Sequence, residues 1–256
     1  VRVVVSFTTI PSRIDRIGLM LDSVNNQTYK PDRIVLWMPV YCMKEASLYN
    51  LSDSTLQLLS NYNIEVGKCG TDWGPATKLI PTLFEEKDPD TILITLDDDV
   101  VYDPHTVEEL VSASEKYPNE SLGLMGGLPG PNGTTIFAHA EELPKFGLDF
   151  LCVGGLGGYR GILYRRRFFD NSVVEELTEL MLQGAFVTDD QLFGWNLARR
   201  GIRQFVVKTQ YIGPNGMPNF RFLNLGGGIY DGDSIKLADE CIKRLEVLYR
   251  QKGWKI

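Results

Sequence analysis

Arg2 to Phe7 is rich in valine with little alternation, as expected of a strand buried on both faces of a parallel sheet. A polar loop, Thr8-Thr9-Ile10-Pro11-Ser12-Arg13, follows at the strand's carboxyl end. From Asp15 to Asn26 the apolar residues Ile17, Met20, Leu21 and Val24 recur at helical spacing. Arg33 to Met38 reads as a second strand, so the chain opens as a βαβ unit. A helix near Ser54 to Asn61, a short strand at Ile64 to Val66 and a helix opened by Pro75 and running to about Glu86 come next. Thr91 to Leu96 is an apolar, β-branched run that reads as a buried strand, and it ends in Asp97-Asp98-Asp99.

Beyond it, Asp103 caps and Pro104 opens a helix to about Tyr117, and Leu122 to Met125 reads as a strand. Gly126 to Gly133 is too rich in Gly and Pro for regular structure, and the next two dozen residues carry no assignable pattern. Ile162 to Tyr164 is a strand and Val173 to Leu182 a helix. Thr188 and Gln191 form a capping box for a helix that Gly201 closes. Arg203 to Val207 adds a strand. After a Gly-rich loop to Asp233, Ser234 to Lys252 reads as an amphipathic helix with Leu237, Cys241, Leu245 and Leu248 on one face. This alternation predicts an α/β fold, a central mostly parallel sheet flanked by helices, in a single domain over residues 1–256.

In such sheets ligands sit at the carboxyl ends of the strands. Three carboxylates delivered there suit a hard divalent cation and the phosphate oxygens it binds; one Asp would be explained as readily by strand termination. Gly74-Pro75-Ala76-Thr77-Lys78 offers free N–H groups at a helix start with a lysine one turn in, a candidate anion site, although any helix needs a start. Gly154 to Gly161 allows close backbone approach to a ligand, with Tyr159 and Arg160 to grip it, and a plain turn cluster explains it equally. Asp189 and Asp190 suit the dipole of the helix they open as well as they suit catalysis.

Composition narrows the classes. The chain has 256 residues, 43% hydrophobic and 23% charged, enough for a substantial core. A net charge of -7 argues against nucleic acid as a partner. Cys42, Cys69, Cys152 and Cys241 form no CxxC pair, which points to free thiols rather than zinc. No run approaches the roughly 18 apolar residues of a membrane span and no leader precedes the first strand. The expectation is a cytoplasmic domain, alone or within a longer, membrane-associated protein. Sequons at Asn26, Asn50, Asn119 and Asn132 would matter only in a secretory pathway.

Ser23 to Leu36 is similar to the opening βαβ signature of the family 2 glycosyltransferases, which have the Rossmann-like GT-A fold. Asp97-Asp98-Asp99 matches their DxD motif, and Thr188-Asp189-Asp190 resembles their late acidic motif. The resemblance extends to about Val207. Ser6 to Arg13 and Gly74 to Lys78 look closer to small bacterial and large-DNA-virus members, including algal-virus capsid glycosyltransferases. The resemblance implies a metal-dependent inverting enzyme with a nucleotide-sugar half (1–101) and an acceptor half (102–256), moving a sugar from a UDP-sugar to a glycan hydroxyl. Mn²⁺ or Mg²⁺ would be held by Asp97 and Asp99. Thr8, Thr9, Arg13 and Asp72 would line the nucleoside pocket, Lys78 would neutralise phosphate, and Asp97 and Asp98 would support the donor. Asp190 would be the general base, with Asp189 as its alternate. Many such enzymes place a metal-binding histidine late in the chain, whereas the histidines here are His105 and His139, so the metal would rely on Asp99, the diphosphate and water, or on help from another late residue such as Asp231 or Asp233. Rival readings are a non-catalytic glycan- or nucleotide-binding protein of the same fold and a haloacid-dehalogenase-like phosphatase. The latter is disfavoured because its DxDx[TV] motif belongs on a first strand. A nucleotidyltransferase would want glycine between Thr8 and Arg13, and there is none.

Overall fold

The computed structural model describes residues 1–129, 131, 135–182, 189–213, 219–225, 243 and 247. Thr188 of the expected capping box, Asp231, Asp233 and, apart from Lys243 and Val247, the expected closing helix lie outside the described residues.

Strand β1 (Val3–Thr8) is buried through Phe7, as its valine-rich run requires, and leads through a 3-10 turn (Ile14–Arg16) into α1 (Gly18–Asn25). The single helix expected from Asp15 is thus two pieces. The Asp15 carboxylate instead accepts from the hydroxyls of Ser52 and Thr55. β2 (Arg33–Pro39) is followed by a small hairpin, β3 (Tyr41–Cys42) and β4 (Ser47–Leu48). Then come α2 (Asp53–Asn61), capped by the Ser52 hydroxyl, and β5 (Glu65–Cys69). The helix expected from Pro75 to Glu86 is a 3-10 turn (Gly74–Lys78) and a separate α3 (Ile80–Glu85). Pro81 has no amide hydrogen to give the Thr77 carbonyl, so one continuous helix cannot run through.

β6 (Ile92–Thr95) and β7 (Val100–Val101) bracket the three aspartates, and α4 (Thr106–Lys116) follows. Next in order are β8 (Ser121–Gly123), β9 (Met125–Pro129), β10 (Thr135–His139), β11 (Phe150–Val153), β12 (Gly155–Leu156) and β13 (Ile162–Arg165). The described chain continues with α5 (Ser172–Leu182), α6 (Asp189–Arg199), β14 (Gln204–Val207) and β15 (Arg221–Phe222).

Eight strands form the main sheet in the order β11-β14-β8-β13-β6-β1-β2-β5. β6, β1, β2 and β5 run parallel to one another, as do β14 and β8, while β13 and β11 are antiparallel to their neighbours. Because β1 and β6 are parallel neighbours with Ser6 beside Thr95, the polar loop after β1 and the aspartates after β6 leave from the same edge.

Glycine-rich segments expected to be irregular are partly strand. Gly126 and Gly127 lie in β9, within a small β10-β9-β12 sheet. A Cβ at Gly126 would sit 2.8 Å from the Gly155 carbonyl and 2.9 Å from Val206 of the main sheet. Glycine is what lets the two sheets meet. β15 pairs with β7, bringing residues 219–225 back across the acidic turn.

At the β5 edge of the main sheet buried Gly67 faces Trp37, whose indole N–H donates to Thr82 at 2.8 Å. A Cβ at Gly67 would fall 2.3 Å from the indole ring, whereas one at Gly70 would meet nothing within 4 Å. Gly67→Ala is therefore expected to lose about 1–3 kcal/mol in urea denaturation, the usual cost of overpacking, and Gly70→Ala to stay near the parent.

Candidate active site

The three aspartates after β6 have different surroundings. Asp98 turns inward, where the Thr9 hydroxyl donates to it at 2.6 Å and the Arg13 guanidinium at 2.8 Å. Burial pushes the Asp98 pKa up and Arg13 opposes that. Arg13 also reaches Asp99 at 3.4 Å. Asp97 and Asp99 keep 27% and 26% of their side-chain surface exposed, against 9% for Asp98. Burial, followed by the charges of Asp97 and Asp98, pushes Asp99 up to about 6. Tyr102, which the sequence reading passed over, fixes the motif's backbone: its hydroxyl accepts from the Asp97 N–H at 2.7 Å.

The residues expected around a nucleoside lie at this edge with hydrogen bonds inside the protein. The Thr8 hydroxyl donates to the Trp37 carbonyl, and Thr9 and Arg13 hold Asp98. Asp72 accepts from the N–H groups of Met43 at 2.7 Å and Gly74 at 2.8 Å, joining the turn of the β3–β4 hairpin to the loop after β5. Tyr49, also unforeseen, donates to the Thr9 carbonyl at 2.7 Å. The anion site expected at Gly74 differs in a specific way. The Gly74 N–H goes to Asp72 and the Trp73 N–H to the Thr77 hydroxyl, so the turn satisfies its own donors.

Lys78 is buried, with its ammonium 2.7 Å from Asp97 Oδ1 and 2.9 Å from Asp189 Oδ2. The Asp97 contact is a directed hydrogen bond. The Asp189 contact is an ion pair without hydrogen-bond alignment. Burial alone would lower the lysine pKa, but Asp189, Asp97 and Asp190 together hold it well above its ordinary value. Lys78 thus brings the strand-end motif and the start of α6 to one point.

Asp190 accepts from the Gly158 N–H at 2.7 Å through Oδ2, and its Oδ1 is shielded and has no hydrogen-bond partner. Burial and then the Asp189 charge push Asp190 up to about 7, against the pull of Lys78. Burial likewise raises Asp189. A Cβ at Gly158 would lie 2.6 Å from Asp190 Oδ1, so the glycine-rich stretch serves here as the cradle of a carboxylate. Arg160, expected to grip a ligand, is turned inward instead. It pairs with buried Glu141 at 2.5 and 2.8 Å and donates to the Leu124 carbonyl. Tyr159 meets Phe220 and Phe222, from a segment beyond the reach of any motif in the sequence.

Among the described residues, no group of three His, Cys, Asp or Glu side chains is arranged to hold a metal ion. His105 is engaged with Glu108 and stacked on Tyr211. The donor set at Asp97 and Asp99 nonetheless fits a hard cation that takes its remaining ligands from phosphate and water. Two partly exposed carboxylates repel one another there, and Asp99 is left with a raised pKa that a positive charge would relieve.

The fold is a Rossmann-like α/β architecture of the GT-A type. Among solved structures, S. aureus TarS 1-349 is similar over 99% of this chain and 74% of its own, at 14% identity and a TM-score of 0.52. S. aureus TarS matches over 82% of this chain and 36% of its own, at 16% identity and a TM-score of 0.51. TarS 1-349 in complex with UDP matches over 82% and 59%, at 16% identity and a TM-score of 0.50. The chain therefore spans little more than a third of the TarS chain in one of these structures. No protein-family model matches the sequence, and no curated protein matches it. Among the described residues no helix is long and apolar enough to cross a membrane.

Arg13→Met would leave Asp98 buried without its cation, a change that typically costs about 3–5 kcal/mol. Denaturant unfolding is expected to show that loss, and Asp98→Asn in the same background to recover much of it.

Proposed function

We propose that this chain is a metal-dependent inverting glycosyltransferase that moves a sugar from a UDP-sugar to a glycan hydroxyl. One observation carries the reading: Asp190, a shielded carboxylate fixed on one oxygen by Gly158 and unpartnered on the other, is joined through Asp189 and Lys78 to the acidic motif after β6. A base and an anion-handling motif in one network are what group transfer from a diphosphate needs. That TarS 1-349, of similar fold, was crystallised with UDP supports uridine diphosphate as the leaving group.

In this reading residues 1–101 bind the nucleotide sugar and residues 102–256 the acceptor, within one domain. Thr8, Thr9, Arg13 and Asp72 shape the nucleoside pocket, Thr9 and Arg13 being held in place by Asp98. Asp97 and Asp99 would hold Mn²⁺ or Mg²⁺, which when bound neutralises charge on the departing diphosphate. Lys78 adds a fixed positive charge next to Asp97 and orients the first turn of α6 through Asp189. Asp190 Oδ1 takes the proton of the acceptor hydroxyl. The acceptor oxygen bonds to the anomeric carbon as the bond from this carbon to the diphosphate oxygen breaks on the opposite face, which inverts the centre.

The pH dependence follows from the raised Asp190 pKa. A base works only when ionised, so turnover is expected to rise with pH through about 7. Asp190→Asn is expected to abolish that limb and lower turnover by about 10²–10⁴-fold while UDP still binds. Rates measured between pH 5.5 and 8.5 with a panel of UDP-sugars check both; near-full transfer by the variant removes Asp190 from the role. Calorimetric titration of UDP with and without Mn²⁺ is expected to show metal-enhanced binding that Asp99→Ala abolishes. Binding without any donor turnover, to water or to a glycan, would instead favour the non-catalytic alternative.

A further inference from the structure

Residues 219–225 cross the acidic turn and are tied to it at successive points. The Asn219 amide donates to the Asp103 carboxylate, Arg221 and Phe222 pair with Val101 and Val100, and the Leu223 N–H donates to the Asp99 carbonyl at 2.6 Å. The far end is fastened from another part of the chain. The Arg16 guanidinium, in the 3-10 turn that precedes α1, donates through one nitrogen to the Asn224 carbonyl at 3.1 Å and through the other to the Leu225 carbonyl at 2.9 Å.

A pair of two-residue strands is far short of an independently stable sheet. None of residues 219–225 is fully buried, and Phe220, Leu223 and Leu225 lie only partly buried against the core. The bonds of this segment therefore add little to the stability of the whole molecule, and what they fix is local. They fix the main chain of the candidate cation site. Asp97 is held by Tyr102, whose hydroxyl accepts from its N–H at 2.7 Å, whereas the Asp99 carbonyl is held by Leu223. Two carboxylates can share a cation only while their main chains keep both in range, so the two candidate ligands depend on separate anchors.

We infer that residues 219–225 brace Asp99 for cation binding and that Arg16 is the positioning residue that fastens the brace. This rests on the metal-dependent transferase reading and adds to it a residue that touches neither the donor nor the cation. Arginine suits the task because its planar fork meets two consecutive carbonyls at once, whereas a lysine ammonium is a single point of charge with less direction. The expected nucleoside contacts have other supports, Thr8 through the Trp37 carbonyl and Thr9 and Arg13 through Asp98. Binding of UDP together with a cation thus needs the brace, and binding of UDP alone does not.

The test is calorimetric titration of UDP with and without Mn²⁺, alongside urea unfolding. Arg16→Ala is expected to weaken UDP binding in Mn²⁺ about 3- to 10-fold, the range of a lost hydrogen bond, and to leave the metal-free affinity and the urea midpoint at their parent values. Arg16→Lys keeps the charge and is expected to recover part of the loss. Asn219→Ala, which frees the other end without removing a cation, is expected to reproduce it. The double variant is expected to lose less than the two single losses combined, because both release the same segment. Parent-like binding in Mn²⁺ by Arg16→Ala overturns the brace, and so does a loss that is equal with and without Mn²⁺. Full recovery by Arg16→Lys with Asn219→Ala unaffected assigns the effect to charge alone and overturns it too. In each of these cases Mn²⁺ still tightens UDP binding by the parent, and the transferase reading stands. If Mn²⁺ does not tighten UDP binding by the parent, the metal-dependent reading falls and takes the brace with it.

Discussion

The ammonium of Lys78 is the point through which the site is held together. It is buried, so water cannot stabilise it, and burial alone would favour its neutral form. Asp97 and Asp189 reverse that preference from opposite sides, one at the end of a central strand and the other in the first turn of α6. The dependence is mutual. Without the lysine, Asp97, Asp189 and Asp190 would face one another across a space that excludes water, and the start of α6 would lose its tie to the sheet. Three elements distant in sequence are therefore registered by charge rather than by shape.

Two more buried pairs act in the same way on segments that packing cannot fix. The loop after β1 has few apolar side chains to bury, and Arg13 binding Asp98 fastens it to the acidic turn. The glycine-rich turn around Gly158 offers little side-chain surface, and the Arg160–Glu141 pair anchors its next turn to the small sheet. Buried pairs of this kind contribute modestly to net stability because desolvation offsets most of the attraction. Their effect here is positional: each fixes an irregular backbone beside the acidic groups.

Much of the framework was legible in the sequence, because strand burial and helix periodicity are local signals. β1, β2, β6, α4, α5 and β14 lie where the apolar patterns put them, within a residue or two at most ends. What the sequence concealed were contacts between distant segments. Lys78 looked like an exposed anion ligand at a helix start, since nothing local reveals two carboxylates arriving 19 and 111 residues later. Gly126 and Gly127 looked like loop, because a strand whose glycines exist to admit a second sheet has no apolar pattern of its own. Arg160 reads in the sequence as a ligand contact, because nothing local reveals that Glu141 lies beside it. Asp189 and Asp190 are ambiguous in the sequence, since carboxylates in the first turn of a helix suit its dipole as well as they suit catalysis.

Counting charge at the site gives a constraint that no single contact shows. Among the described residues the carboxylates of Asp97, Asp98, Asp99 and Asp189 pair with two side-chain cations, Arg13 and Lys78, and Asp190 adds a fifth carboxylate beside them. The upward shifts of Asp98, Asp99, Asp189 and Asp190, to which burial contributes in every case, are also what mutual repulsion in an under-neutralised cluster produces. A diphosphate brings further negative charge, so under the transferase reading it cannot approach this edge unless positive charge accompanies it. Asp97 and Asp99 are the members with exposed surface to meet such a cation, although Asp97 also accepts from Lys78 and Asp99 lies 3.4 Å from Arg13; Asp98 and Asp189 are buried against the same two cations. Burial thus grades the site: Asp98 and Asp189 are enclosed with the protein's own cations, whereas Asp97 and Asp99, which touch those cations too, keep the surface at which a cation from solution would be met.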